Sequence, residues 1–350
     1  MIINGVKFLN RIVISPMCQY MAKKGCPTEW HYHHLRNLLE TGAGSLVIES
    51  TAVSQAGRIT KKDLCLYNNN HFQSHKELVS HLKKIKKIPI ILQISHSGRK
   101  GSAEIPWIKK NQSLKSKDKW ETMAPSALAR TKSWPIPKVM SKIEIKKVIN
   151  QFVATAELAF KAGYDGVEVH MANGYLVHQF CSPISNLRQD EYGVSNYKYK
   201  FPKEIIKYIN AIKPKNKIIG ARVVGHDHLL NGIESNDCID LLKILKKEGL
   251  DYACISSGGI LPKTNIKFFS GFRIEMAKKI KKESGLIIRT SGLIDNFLIL
   301  NKILKKNSID LVAIGRKFIN DKFFLYRYNN IYRNNKLKIQ NELKQYKYCI

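Results

Sequence analysis

The 350-residue sequence contains no apolar run near the roughly 20 residues that a membrane-spanning helix needs. It has no C-x-x-C pair: its seven cysteines (Cys18, Cys26, Cys65, Cys181, Cys238, Cys254 and Cys349) are odd in number and scattered. Disulfide frameworks, zinc sites and iron–sulfur clusters all find little support in that spacing, so no metal is expected. Met1 to Leu9 lacks the charged-then-apolar plan of a secretory signal, and the expected location is the cytoplasm. Negative charge is scarce, with 27 Asp and Glu against 59 Lys and Arg and a net charge of +32.

Such an excess could serve a nucleic-acid partner. Its texture argues otherwise. Lysine outnumbers arginine 47 to 12, and the lysines are spread over helix-like stretches, as in Lys83, Lys84, Lys146, Lys147, Lys243, Lys246 and Lys247. Specific nucleic-acid sites favour arginine, whose planar fork makes bidentate contacts. Together with abundant Ile and Asn, the pattern reads as an AT-rich coding bias with the charge on solvated helix faces. No nucleic-acid or membrane partner is expected.

What the sequence does contain is alternation. Eight short β-branched runs (Arg11–Ser15, Ser45–Glu49, Pro89–Ile94, Gly166–Val169, Lys217–Val223, Tyr252–Ser256, Leu286–Thr290 and Asp310–Ile314) are separated by longer amphipathic segments. Strands apolar enough to be buried on both faces, alternating with helices, imply a parallel sheet. Eight such units suggest closure into an α/β fold of the (β/α)₈ TIM-barrel type, one domain over residues 1–350. The rival, an open doubly wound sheet, usually carries a G-x-G-x-x-G turn after its first strand, and none is present. An excursion after strand 3, about residues 100–140, is too long for an ordinary turn and reads as a cap over the barrel mouth. Its Trp107, Trp120 and Trp134 either line an entrance or pin the excursion down. The tail, about residues 323–350, is polar and basic.

In such barrels the chemistry sits at the C-terminal strand ends. Here those ends carry Ser15-Pro16-Met17-Cys18, Glu49 to Ala52, Gln93 with His96 to Lys100, His170 to Tyr175, Arg222, Ser256 to Gly259, Ser291-Gly292 and Gly315-Arg316. The glycine turns after strands 7 and 8 fit a phosphate, with backbone N–H groups close by and Arg316 as a bidentate charge; a plain tight turn with a surface arginine is the alternative. His170, Asn173 and Tyr175 form the most informative group. Two donors aimed at one carbonyl oxygen, beside a phenol, make a site for developing enolate charge.

At these residues the sequence resembles the Old Yellow Enzyme family, more closely its NADPH dehydrogenase and xenobiotic-reductase class. The likeness runs through Asn10 to Tyr20, Gly57 to Thr60, His96 to Lys100, Ala124 to Ala127, His170 to Tyr175 and Ser182 to Arg188. It implies an FMN-dependent ene-reductase that takes electrons from NAD(P)H and passes them to a small electron-poor alkene. By resemblance, Ser15, Pro16, Met17, Cys18, Ala52, Gln93, Arg222, Gly292, Gly315 and Arg316 hold FMN. Gln93 meets the flavin pyrimidine edge, Arg222 stabilises the reduced flavin, and Cys18 tunes its potential. His170 and Asn173 grip the substrate carbonyl with help from Tyr20, and Tyr175 protonates Cα. A homodimer or homotetramer is expected. Departures are Asn173 where the class often has histidine, Ser291 where one branch has tryptophan, and a tail ending Tyr346-Lys347-Tyr348-Cys349-Ile350 with no arginine or tryptophan to reach a neighbour's site.

Two other functions remain open from the sequence. A tRNA dihydrouridine synthase-type FMN barrel would give the positive charge a purpose but leaves the His170–Tyr175 group without one. A basic non-catalytic binding protein is disfavoured by intact Gln93, Arg222, His170, Asn173 and Tyr175.

Overall fold

The computed structural model describes residues 1–109, 112–115, 117–194 and 199–332. Eight parallel strands close on themselves: β1 Ile12–Ile14, β2 Ser45–Ala52, β3 Ile90–Ser95, β4 Gly166–Met171, β5 Ile218–Val224, β6 Tyr252–Ser256, β7 Ile287–Thr290 and β8 Leu311–Ile314. Each strand pairs with the next in sequence, and β8 returns to β1 through Val312↔Ile12 and Ile314↔Ile14. This is the expected (β/α)₈ barrel. All eight strands fall where the β-branched runs lie, displaced by a residue or a few at their ends. Residues of β3, β4 and β6 are buried throughout, as strands covered on both faces must be.

The helices lie outside: α1 Glu29–Leu39, α2 Asn69–Ile85, α3 Lys142–Ala162, α4 Lys200–Ile212, α5 Ser235–Lys247, α6 Ile274–Ser284, α7 Phe297–Lys306 and α8 Phe324–Tyr332. Helix α3 shows why. Ser141 Oγ accepts the Glu144 N–H at 3.2 Å while the Glu144 carboxylate accepts the Ser141 N–H at 2.8 Å, a capping box that satisfies two N-terminal donors. The helix ends at Gly163, whose φ of +102° is left-handed. Lys146, Lys147, Lys203, Lys207, Lys243, Lys246 and Lys247 all lie on exposed helix faces, so the solvated-face reading of the charge holds for these positions. Among the described residues no helix is long and apolar enough to cross a membrane.

An N-terminal hairpin, Ile2–Ile3 paired with Val6–Lys7, was not foreseen. Its Ile3 and Val6, with Phe8, pack against Val13, Val47, Ile91, Ile218 and Leu311, closing the N-terminal end of the barrel. The excursion after β3 carries one short strand pair, Met123–Ala124 with Lys138–Val139. It is held to the barrel by Arg99, whose guanidinium donates to Leu128 O at 3.0 Å and Ile260 O at 3.1 Å. Tail residues 333–350, including Tyr346 and Tyr348, lie outside the described residues.

Candidate active site

The strand ends converge on one opening. After β1, Ser15, Pro16, Met17 and Cys18 are half-buried, and the Ser15 N–H donates to Ile314 O at 2.9 Å, tying this end to β8. Burial, then the nearby carboxyls of Glu49 and Asp63, push the Cys18 thiol well up, so it is held protonated. Tyr20 neighbours that thiol and stands edge-on to Trp107, ring centroids 5.9 Å apart. The capping excursion therefore reaches the opening through Trp107, which is 62% exposed. Trp134 is buried beneath Arg130, and Trp120 lies under Arg58. One tryptophan faces the opening and two pin the excursion.

At the end of β2, Ala52 is buried. Below it the Glu49 carboxyl accepts the Gln19 N–H at 2.8 Å, and burial pushes its pKa up to about 8. Within β3, buried Gln93 donates its amide N–H to Glu168 Oε1 at 2.8 Å. Glu168 also accepts from the Tyr252 hydroxyl at 2.7 Å and from the Arg289 guanidinium, a network inside the barrel from β3, β4, β6 and β7. A carboxylate can only accept, so this bond orients the Gln93 amide, leaving Oε1 and the second Nε2 hydrogen for another partner.

The group after β4 is ordered by its own backbone. His170 Nδ1 accepts the Ala172 N–H at 3.3 Å, which places the ring proton on Nε2. Burial, with Arg222 and Lys100 adding to it, holds His170 neutral, well below the usual imidazole range. Asn173 adopts a left-handed φ of +56°, and its Oδ1 accepts from Ser256 Oγ at 3.2 Å, leaving Nδ2 as a free donor. Gly174 has a φ of +73°, and a Cβ there would lie 2.1 Å from Gly259 O, so only glycine fits against the turn after β6. Tyr175 opens a short helix, Leu176–Cys181, with its ring edge-on to His170 at 4.8 Å. The end of β4 and the turn after it thus carry two N–H donors, on His170 and Asn173, and a phenol in ring contact with His170.

Three groups absent from the sequence reading support this arrangement. Lys100, quoted in the His96–Lys100 motif without a role, donates to Asn173 O at 2.5 Å and lies 4.8 Å over the Tyr175 ring; burial lowers its pKa to about 7. His178 Nδ1 accepts the Gly174 N–H at 2.8 Å while Nε2 lies 3.1 Å from Asp227 Oδ1, both residues fully buried. Arg273 is the third, and the i, i+4 spacing of Gly174 and His178 was the only local signal available for the second.

On the other side, a cavity of about 460 Å³ is lined by Ser15, Pro16, Met17, Arg222, Phe272, Arg273, Gly292, Gly315 and Arg316 among others. A Cβ at Gly292 would lie 3.0 Å from the Phe272 ring, and its φ of +122° already demands glycine. Gly315 backs onto Met17 and Ser15, and Arg316 is exposed at the edge. Arg222 is half-buried with Nε lacking any partner. Gly292, Gly315 and Arg316 give the cavity a basic, glycine-lined end, and the unpartnered Arg222 Nε belongs to the same wall, a lining suited to an anionic ligand. Of the fourteen residues singled out from the sequence, Ser15, Pro16, Met17, Arg222, Gly292, Gly315 and Arg316 line this cavity.

A family model described as the NADH:flavin oxidoreductase / NADH oxidase family matches residues 2–335. An NADPH dehydrogenase of Clostridium acetobutylicum is 35% identical over 319 residues, 90% of this chain and 89% of the relative. An NADH:flavin oxidoreductase of Gibberella zeae is 36% identical over 336 residues, 90% of this chain and 81% of the relative. Among solved structures, a 2-naphthoyl-CoA reductase superposes with a TM-score of 0.84 at 22% identity; the match covers 97% of this chain and 52% of that one, so the chain spans about half its length. At that identity the likeness speaks for the fold.

Proposed function

The chain belongs to the NADH:flavin oxidoreductase / NADH oxidase family, that of the Old Yellow Enzymes, and from that premise we propose that it reduces the activated C=C bond of α,β-unsaturated carbonyl-type compounds. Its cofactor is FMN and its electron donor a nicotinamide. The residues fit that cofactor. Gln93, held by Glu168, offers one acceptor and one donor, the complement of the pyrimidine edge of the ring. Arg222 brings an unpartnered guanidinium to a ring that gains negative charge. Gly292, Gly315 and Arg316 suit the phosphate, and Ser15, Pro16, Met17, Cys18 and Ala52 the remaining wall. Bound FMN supplies the hydride for Cβ.

The observation that carries the proposal is the pair of oriented donors on the β4 end. His170 and Asn173 each have one side of the side chain fixed by an internal bond, so His170 Nε2–H and Asn173 Nδ2–H are the groups left to meet a carbonyl oxygen. As negative charge moves onto that oxygen their hydrogen bonds strengthen, and each such donor contributes about 100-fold to rate. Tyr20, beside Cys18 and against Trp107, serves as a further contact. Tyr175, with its phenol held protonated by burial, is placed to deliver a proton to Cα. The excursion bearing Trp107 limits water at the mouth, and the acceptor class is a small alkene.

The test begins with an absorbance spectrum of the purified protein, which is yellow, bleaches with NADPH and recovers its colour with 2-cyclohexenone. Tyr175→Phe slows the recovery by about 100-fold, the usual contribution of general acid catalysis, while bleaching stays near wild type. Equal rates in both halves sink the role of Tyr175. A tRNA-directed FMN barrel is the alternative, and reduction of uridine in tRNA with no turnover of enones selects it.

A further inference from the structure

The cavity beside the β4 group holds more positive charge than a phosphate accounts for. Arg222, Arg273 and Arg316 all line it. Among the described residues none of the three has a carboxylate in ion-pair contact. The one acidic residue on the wall, Asp295, accepts from Ser270 Oγ at 2.6 Å. Arg316 stands exposed beside Gly315, at the basic end.

Arg273 sits differently. It is half-buried, its Nε donates to Ser257 Oγ at 2.8 Å just past β6, and Nη1 donates to Ser291 Oγ at 3.2 Å just past β7. Both partners are neutral hydroxyls. Arg222 lies on the neighbouring strand, where its Cα is the register partner of Cys254 in β6. The Arg273 guanidinium also stacks over Phe272 at 4.5 Å, and its residue is the N-cap of α6, the positive end of a helix dipole. A cation at that end is unfavourable unless an anion is close. Burial lowers its pKa to about 10, with the like charge of Arg222 the next cause. A like charge on the same wall and a helix N-terminus both call for an anion in the cavity that Arg273 shares with Arg222.

Reduction of FMN by NAD(P)H places two electrons and one proton on the isoalloxazine and leaves it with a net negative charge. We propose that Arg273 acts with Arg222 as counter-charge to the isoalloxazine ring and so raises the reduction potential of the bound cofactor. The inference rests on the FMN reading above. It assigns to this residue a part in setting how strongly the reduced cofactor is favoured, separate from holding the phosphate.

The midpoint potential of the FMN-loaded protein, measured by dye-coupled titration, tests this in wild type, Arg273→Gln and Arg273→Lys. Arg273→Gln loses about tenfold of its preference for the reduced ring, a fall of about 30 mV for a two-electron couple, while Arg273→Lys keeps most of the wild-type value. Affinities of the apoprotein for oxidised FMN and for riboflavin, read by fluorescence quenching, both change by less than about threefold. An unchanged midpoint overturns the proposal. So does a loss of affinity for FMN with none for riboflavin, which puts Arg273 on the phosphate. If Arg273→Gln does not hold flavin, Arg273→His replaces it: its midpoint approaches wild type below about pH 6.5 and falls above it, relative to Arg273→Lys, and a constant difference refutes the charge. Wild-type protein that fails to bleach with NADPH would instead sink the functional reading itself.

Discussion

Replacing Arg289 with methionine tests whether the buried network under the cofactor site is one electrostatic unit. Glu168 and Arg289 are 0% and 1% exposed, and the carboxylate is held by Gln93 at 2.8 Å, by the Tyr252 hydroxyl at 2.7 Å and by the Arg289 guanidinium. Methionine keeps much of the volume but leaves the carboxylate with two neutral donors and no counter-charge. Breaking a buried pair from one side costs about 3–5 kcal/mol. With an unfolding entropy of about 2.1 cal/mol/K per residue, a chain of 350 residues has about 0.7 kcal/mol/K at its midpoint, so the melting temperature falls by about 4–7 °C. The assay is thermal unfolding followed by far-UV circular dichroism, repeated for Glu168→Met and for the double variant. Because the double variant removes both charges, it is less destabilised than the two single changes added together. FMN affinity of Arg289→Met stays within about threefold of wild type, since the bond that orients Gln93 remains. A melting point within about 1 °C of wild type, or strict additivity in the cycle, refutes the reasoning.

Three further outcomes follow from the site. His170 is neutral and donates through Nε2, so the KM for an enone stays flat as pH falls from about 8 to 6, where an ordinary imidazole would charge; a break near pH 6.5 that disappears in His170→Asn contradicts this. Glu49 has its folded pKa raised from 4.5 to about 8, so between those values the folded state holds a proton the unfolded state has released, and stability falls as pH rises through that window. Glu49→Gln removes that slope, and melting temperatures at pH 5.5 and 8 that differ as much in the variant as in wild type disprove it. Gly292→Ala must place a Cβ 3.0 Å from Phe272 at a φ of +122°, a strain of about 1–3 kcal/mol that appears as weaker FMN binding by fluorescence titration; unchanged affinity shows that the turn relaxes freely.

The barrel was legible because its strands are chemically distinct from everything around them. Runs such as Ile90–Ser95 are β-branched and buried on both sides, and the helix between two such strands follows from the parallel direction itself. The N-terminal hairpin escaped although its signal is in the chain: Asn4-Gly5, between apolar Ile3 and Val6, is the dipeptide that two-residue hairpin turns prefer, and both residues have positive φ. It was hidden by brevity, since two-residue strands have no periodicity to read. The short helix Leu176–Cys181 was missed for the same reason, lying within a loop already noted for its chemistry.

The site divides along a physical line. Groups that act at a strand end, such as His170, Asn173 and Arg222, can be placed once the strand is known, because the barrel fixes where that end points. Groups that act from elsewhere cannot. Arg273 lies within Gly271–Glu283, a stretch with the pattern of a surface helix, where an arginine at the first turn looks solvated. Only the folded turn between β6 and α6 brings its guanidinium to Ser257 and Ser291. Asp227 and His178 are 49 residues apart by number, and nothing local says that they meet. His178, beside Asp227, accepts the Gly174 N–H within the turn that carries Asn173 and Tyr175, so the donors readable from sequence sit among partners that are not. Aiming is a tertiary property, and a motif supplies the groups while the packing behind it supplies their direction.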